Sequence, residues 1–372
     1  MGWSVLIIIF GIGIVIPAVW SIVGLSMGNT KFWPGVLGTG WAIALLLVTF
    51  VGIGINWGGC PRPGEPTGSS KGAVKCATGD TINTHCEPDV LRVECRQASP
   101  PCPSTIPLGT YCPSPQKPIF PFCEPIQTGG VKQPWATWSD LSFVAAGLWL
   151  LWFFQYFWRP YDTGDSSMTA DNPMIVIGWL SVTYGMVVIF MGPPSQWFHA
   201  SMKEWGGWCD SMSVVIWLMF NAVYVIYTLA AAMWGNGRGT VRTIAVLVIW
   251  GALVVICGLI ALKPEARTFL YFAGGVPWGV AEVIYLIVGC TSSRVMYRRT
   301  WWLFGLNFLL LGATMTIWVF FNPDISLTTP PSACVAREGF PGHAVFHIMA
   351  SFATILTFAS FASEREVSSS SG

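Results

Sequence analysis

Residues 193–210 read PPSQWFHASMKEWGGWCD, and they stand between two long apolar runs, 173–193 and 208–233. Such a join between two apolar helices is expected to be short and unremarkable. This one holds a serine, a histidine and an aspartate, in a chain with only 4 histidines. Two of the other histidines fall in one short segment far downstream, GHAVFHIMASF, residues 342–352.

Working outward, the flanking runs are two of several. The chain has 372 residues, 53% apolar and 10% charged, where a soluble domain carries roughly 25% charged residues. Apolar runs of about 20 residues are long enough to cross a bilayer. The composition describes an all-α, polytopic membrane protein. A formal net charge of +1 gives no global basic surface, which argues against nucleic acid as a partner.

Hydropathy predicts nine transmembrane helices, at 3–27, 36–57, 138–158, 173–193, 208–233, 243–262, 268–290, 300–321 and 342–362. The first lacks the positive n-region and small-residue cleavage site of a signal peptide and reads as a retained helix. The organisation expected is two N-terminal helices (1–57), a cysteine-rich segment (58–135), a seven-helix core (136–363) and a flexible tail (364–372). With the N-terminus outside, the short inner loops hold Lys31, Arg159, Arg238, Arg242, Arg294, Arg298 and Arg299. The short outer loops hold Lys203, Lys263, Arg267 and Arg337. That asymmetry follows the positive-inside rule and puts the cysteine-rich segment outside the cytoplasm and the C-terminus inside.

Seven of the 11 cysteines lie in 58–135: Cys60, Cys76, Cys86, Cys95, Cys102, Cys112 and Cys123. Cys334, in the last outer loop, is the eighth on that face. Eight cysteines in an oxidising compartment read as four disulfides, with about 105 connectivities open. Cys334 is expected to bond to one of the seven, with Cys209 as its competitor. No CxxC pair is present, which disfavours a zinc cluster there. Cys257 and Cys290 lie within spans and read as packing residues. His85 reads as a surface residue of the cysteine-rich segment.

Ser195 and His199 are four apart and share a helical face; so do His343 and His347. Gly206 and Gly207 are expected to let the chain turn between His199 and Asp210. The topology puts all five polar residues at one membrane depth. Three neutral imidazoles with one open position are a standard catalytic zinc arrangement, in which a bound water becomes a nucleophile near neutral pH. Singly, an interfacial histidine is an ordinary satisfied polar residue. Three, joined by a serine and an aspartate at one depth, favour Zn2+ on His199, His343 and His347, since polar groups inside membranes are costly and usually functional. Glu282, deeper and toward the inner side, is expected to pair with a neighbouring helix or to line a cavity floor. Pro277 in the same span is expected to kink it.

The combination of S-x3-H, the following aspartate and H-x3-H at the start of the last helix resembles the alkaline ceramidases. More broadly it is similar to the CREST superfamily of seven-helix membrane hydrolases, which includes the progestin and adiponectin receptor family. The segment FCEPIQTGGVKQPWATWSDLSFVAAGL, entering the third span, is similar to the opening segment of that family. The resemblance covers about residues 123–363. It implies a zinc-dependent hydrolase of a lipid amide, ceramide-like, with His199, His343 and His347 on the metal and Ser195 and Asp210 holding the water. Chemically, the aspartate would act as general base and the serine hydroxyl would donate to the developing oxyanion. Gln133, Ala136 and Asp140 depart from the family pattern, and calcium, which some relatives bind near here, is not expected. Glu124 and Asp140 are the remaining oxygen donors. Membrane lipid is the expected substrate. The two added helices and the cysteine-rich segment suggest a protein partner, and with it a second reading as a non-catalytic accessory subunit of a membrane complex. A lipid-hydrolysing receptor of the adiponectin-receptor kind is a third.

Overall fold

A computed structural model describes residues 2–28, 32–54, 73–75, 81–83, 124, 131, 133–157, 172, 174, 178–201, 204–234, 240–263, 266–291, 297–321 and 342–366. Among these the chain is built from helices: α1 Gly2–Ser26, α2 Trp33–Gly54, α3 Pro134–Ser139, α4 Leu141–Phe157, α5 Gly178–Ser201, α6 Glu204–Trp234, α7 Thr240–Ile260, α8 Arg267–Thr291, α9 Trp301–Phe321 and α10 Gly342–Ala362. Two short antiparallel ladders accompany them, Ala73–Lys75 with Thr81–Asn83 and Tyr297–Arg298 with Arg365–Glu366. Six of the helices, α1, α2, α6, α8, α9 and α10, are long and apolar enough to cross a membrane. Their outward side chains fit that setting. Ile8, Phe269, Val280 and Leu309 are all exposed, as lipid-facing residues are when no aqueous surface has to be covered.

The core lies where α4, α5, α6, α8 and α10 converge. Tyr184, Trp217, Phe220, Trp278 and Phe358 form its aromatic centre. The polar ends of these rings are satisfied within the bundle: Trp217 Nε1 donates to Tyr184 Oη (3.1 Å), which donates to the Thr354 carbonyl (2.7 Å). Small residues allow close helix approach, as in other membrane bundles. A Cβ on Gly147 of α4 would lie 2.7 Å from the Gly185 carbonyl of α5, and one on Gly192 of α5 would lie 2.7 Å from the Asp140 carbonyl. The start of α4 is thereby pressed against α5 three residues before Ser195.

Helices α1 and α2 pack on the back of α3. Trp138 and Leu141 share an apolar cluster with Ile7, Phe10, Ile14, Leu46 and Ile53. The indole of Trp197 in α5 donates to Thr49 Oγ1 of α2 at 2.7 Å.

Two boundaries differ from expectation. Helix α5 does not stop at 193; it runs through Pro193 and Pro194 to Ser201. Helix α6 starts at Glu204, so Gly206 and Gly207 are helical and the turn precedes them. Their role is closeness, not turning: a Cβ on Gly206 would stand 2.9 Å from Phe198 Cα.

At the opposite end of α10 a second polar cluster replaces the expected flexible tail at its first residues. Arg299 contacts Glu282 and, at 2.6 Å, Glu364. Its guanidinium lies 4.4 Å from the Tyr285 ring centre and 4.8 Å from that of Phe361. Tyr224 Oη donates to Glu364 (3.0 Å), and Trp278 Nε1 donates to Glu282 (3.1 Å). Asn172 donates to the carbonyls of Phe361, Ala362 and Glu364, which satisfies carbonyls that a helix C-terminus leaves open. Glu282 therefore pairs with Arg299 in the connection before α9, not with a side chain of a neighbouring helix. Helix α8 continues through Pro277 as one element.

The cysteines of 58–135 and Cys334, and with them the expected disulfides, lie outside the described residues, as does His85. Cys209 and Cys257 are free thiols.

Candidate metal centre

Three helices bring the polar residues together. Helix α5 presents Ser195 and His199 one turn apart, α6 presents Asp210 in its second turn, and α10 presents His343 and His347 in its first two turns. All three histidines are buried, and one ligand atom from each lies within 4.8 Å of those of the others. His199 Nε2 and His343 Nε2 are 3.2 Å apart. The ring centres are 4.9 Å (His199–His343), 5.1 Å (His199–His347) and 4.4 Å (His343–His347) apart. The group can hold a metal ion.

The donor set suits a cation, because the far nitrogens of two rings are already engaged. His199 Nδ1 is 2.7 Å from Gln133 Oε1. An amide oxygen only accepts, so Nδ1 carries the proton and Nε2 keeps its lone pair. His347 Nδ1 is surrounded by Ser139 Oγ (2.9 Å), Asp140 Oδ1 (3.0 Å) and the Ala136 carbonyl (3.3 Å). Ser139 itself donates to the Ala136 carbonyl at 2.8 Å, which leaves its oxygen free to accept. Both rings are thus locked in the tautomer that turns Nε2 inward. Outer partners of this kind fix ring orientation and raise ligand basicity in metal sites.

These partners come from the α3–α4 junction, which is itself clamped. Pro134 opens α3, where a missing N–H costs nothing. The Gln133 N–H donates to the His199 carbonyl at 3.0 Å. Glu124 accepts from the first free N–H groups of α3, Trp135 at 2.6 Å and Ala136 at 2.9 Å. Burial outweighs the two backbone hydrogen bonds that lower it, and its carboxyl is raised from 4.5 to about 7.

Ser195 hydrogen-bonds to Asp210, and Asp210 lies within electrostatic reach of His347. Beyond it, Tyr271 Oη of α8 donates to Ser211 Oγ at 3.0 Å. Arg267 is within electrostatic reach of Asp210, and the rings around the histidines are apolar: Phe346 stacks on His343 (centroids 5.4 Å apart), Trp318 lies beyond Phe346 (6.5 Å), and Phe198 and Phe143 flank His199 and His347.

Gln133 and Ser139 entered the sequence reading only as parts of a motif, without roles. Their proximity to the histidines is a long-range fact that no local pattern signals. Both oxygens of Glu124 accept backbone N–H groups of α3.

In comparison with known proteins, no family model, no curated protein and no solved structure matches the chain.

Proposed function

We propose that this protein is an integral-membrane, zinc-dependent hydrolase of a lipid amide, ceramide-like, of the alkaline ceramidase kind. The observation that carries the reading is the buried triad of imidazoles with Ser195 and Asp210 beside it. Zinc is favoured by an all-nitrogen set of three with, among the described residues, no thiolate or fourth protein ligand drawn in. Two nitrogens on a tetrahedral zinc, each at about 2.0–2.1 Å, stand roughly 3.3–3.4 Å apart; His199 and His343 are already at 3.2 Å. When bound, the ion would polarise the scissile carbonyl and acidify water.

The chain's own residues supply the rest. Asp210 takes the proton of the attacking water and returns it to the leaving amine. A C–O bond forms, the C–N bond breaks, and fatty acid and amine result. Ser195 donates to the carbonyl oxygen as its charge grows. Phe143, Phe198, Phe346 and Trp318 keep bulk water away and give an acyl chain apolar contact. The nine-helix topology, with this centre on the outer side and the C-terminus in the cytoplasm, belongs to the same proposal. So do the disulfides of the outer segment.

The test is metal analysis of purified protein together with release of fatty acid from a panel of ceramides. One zinc per chain with turnover supports the reading. A wild type that holds zinc and cleaves none of the lipids overturns it in favour of the accessory-subunit reading.

A further inference from the structure

Asp140 is fully buried at the α3–α4 junction, and its Oδ1 lies 3.0 Å from His347 Nδ1. It has no lysine or arginine partner among the described residues, and neither carboxylate oxygen meets full hydrogen-bond geometry, so its approach to His347 Nδ1 is one of charge and proximity. Its contacts are His347 and Ser195, with Asp210 nearby as a like charge. A buried carboxylate in this setting is costly unless it is paired. The backbone holds it in place: Asp140 N bonds back to Ala136 (3.3 Å), and its carbonyl is pressed against Gly192. The carboxylate is therefore kept beside His347 by its surroundings and has no other partner of opposite charge to turn to.

We propose that Asp140 is a positioning residue of the metal centre, a carboxylate that completes a carboxylate–His347–metal relay. The inference rests on the metal reading above. An imidazole whose Nε2 gives its lone pair to a divalent cation becomes more positive, and its Nδ1–H becomes a stronger donor. Of the three acceptors around that N–H, Asp140 is the one that bears a charge; Ser139 and the Ala136 carbonyl are neutral. Cation and carboxylate thus stabilise one another through the ring. By linkage, whatever Asp140 adds to metal affinity, the metal returns to Asp140. Without the metal, Asp140 is a buried group with too little compensation. A purely architectural residue would behave in the opposite way, supporting the fold whether or not metal is bound.

Asp140→Asn separates the two, because it keeps the shape and an accepting oxygen and removes the charge. Zinc affinity is measured on detergent-purified full chain by competition with a chelator. Thermal unfolding is followed for the zinc-loaded and the chelated forms. We expect Asp140→Asn to bind zinc about 10–100-fold more weakly, and its chelated form to melt no lower than chelated wild type. The rise in melting temperature on adding zinc should shrink accordingly. Ser139→Ala, which removes a neutral acceptor, should lose less affinity than Asp140→Asn. Unchanged zinc affinity in Asp140→Asn, or a chelated variant that melts well below chelated wild type, overturns the proposal while leaving the zinc reading intact. A wild type that binds no zinc overturns both.

Discussion

His199 Nε2 and His343 Nε2 lie 3.2 Å apart across 144 residues of sequence. Two buried neutral imidazoles can meet this closely either through an Nε2–H of His343 donating to His199 Nε2 or around a shared cation. The metal reading proposed above predicts the second. Purified protein is accordingly expected to hold about one divalent metal per chain, and exhaustive chelation should lower its melting temperature. His343→Ala should lose the metal and the melting shift together. Elemental analysis and a melting curve decide it; full metal retention in His343→Ala would exclude that ring as a ligand.

Asp210 is expected to matter for turnover and not for metal. Asp210→Asn keeps the size of the side chain but cannot take a proton, so turnover should fall by about 10²–10⁴ with zinc content unchanged. Fatty acid release and elemental analysis on the same preparation separate the two effects. Loss of zinc in this variant would make Asp210 a ligand instead.

Gly206 should be sensitive to a single methyl group. A Cβ there would stand 2.9 Å from Phe198 Cα, which is backbone and cannot swing aside. Gly206→Ala is expected to destabilise the protein by about 1–3 kcal/mol and to loosen the centre, because Phe198 precedes His199. Thermal unfolding in detergent and zinc affinity report the two consequences; a variant equal to wild type in both would show that the helices separate at no cost.

At the far end of α10, Arg299 neutralises two buried carboxylates. Arg299→Met leaves Glu282 and Glu364 facing each other without a cation and should cost roughly 3–5 kcal/mol. Combining it with Glu282→Gln and Glu364→Gln should recover part of the loss, since the damage comes from stranded charge. If the triple variant melts lower than the single one, the cluster acts through its hydrogen bonds and not its charges.

Glu124 gives a pH signature. Its folded carboxyl titrates at about 7 against 4.5 for the ordinary group, so between those values the folded chain holds a proton that the unfolded chain has released. Stability of the chelated protein should fall as pH rises from about 4.5 to about 7 and then level off. Glu124→Gln should flatten that slope. Melting temperatures across this range test it, and a slope of opposite sign would mean that the two backbone hydrogen bonds outweigh burial.

The sequence by itself determined the helical, membrane-spanning character of the chain, because long apolar runs with so few charges have no other stable arrangement in a bilayer. It also determined which residues share a helical face: Ser195 with His199, and His343 with His347, follow from the 3.6-residue period alone. Tertiary structure decided what those faces meet. The α3–α4 junction delivers Gln133 to His199 and Ser139 and Asp140 to His347, contacts between segments more than 60 residues apart that no local pattern encodes. It also decided that Gly206 and Gly207 serve helix contact and not a turn. Hydropathy ends the fourth span at 193, yet α5 carries on to Ser201, since packing against α6 and the bond from Gln133 N to the His199 carbonyl hold its last turns. Periodicity fixes directions within a helix; which side chain faces which across the bundle is set by close packing of whole helices, and that is a property of the assembled chain.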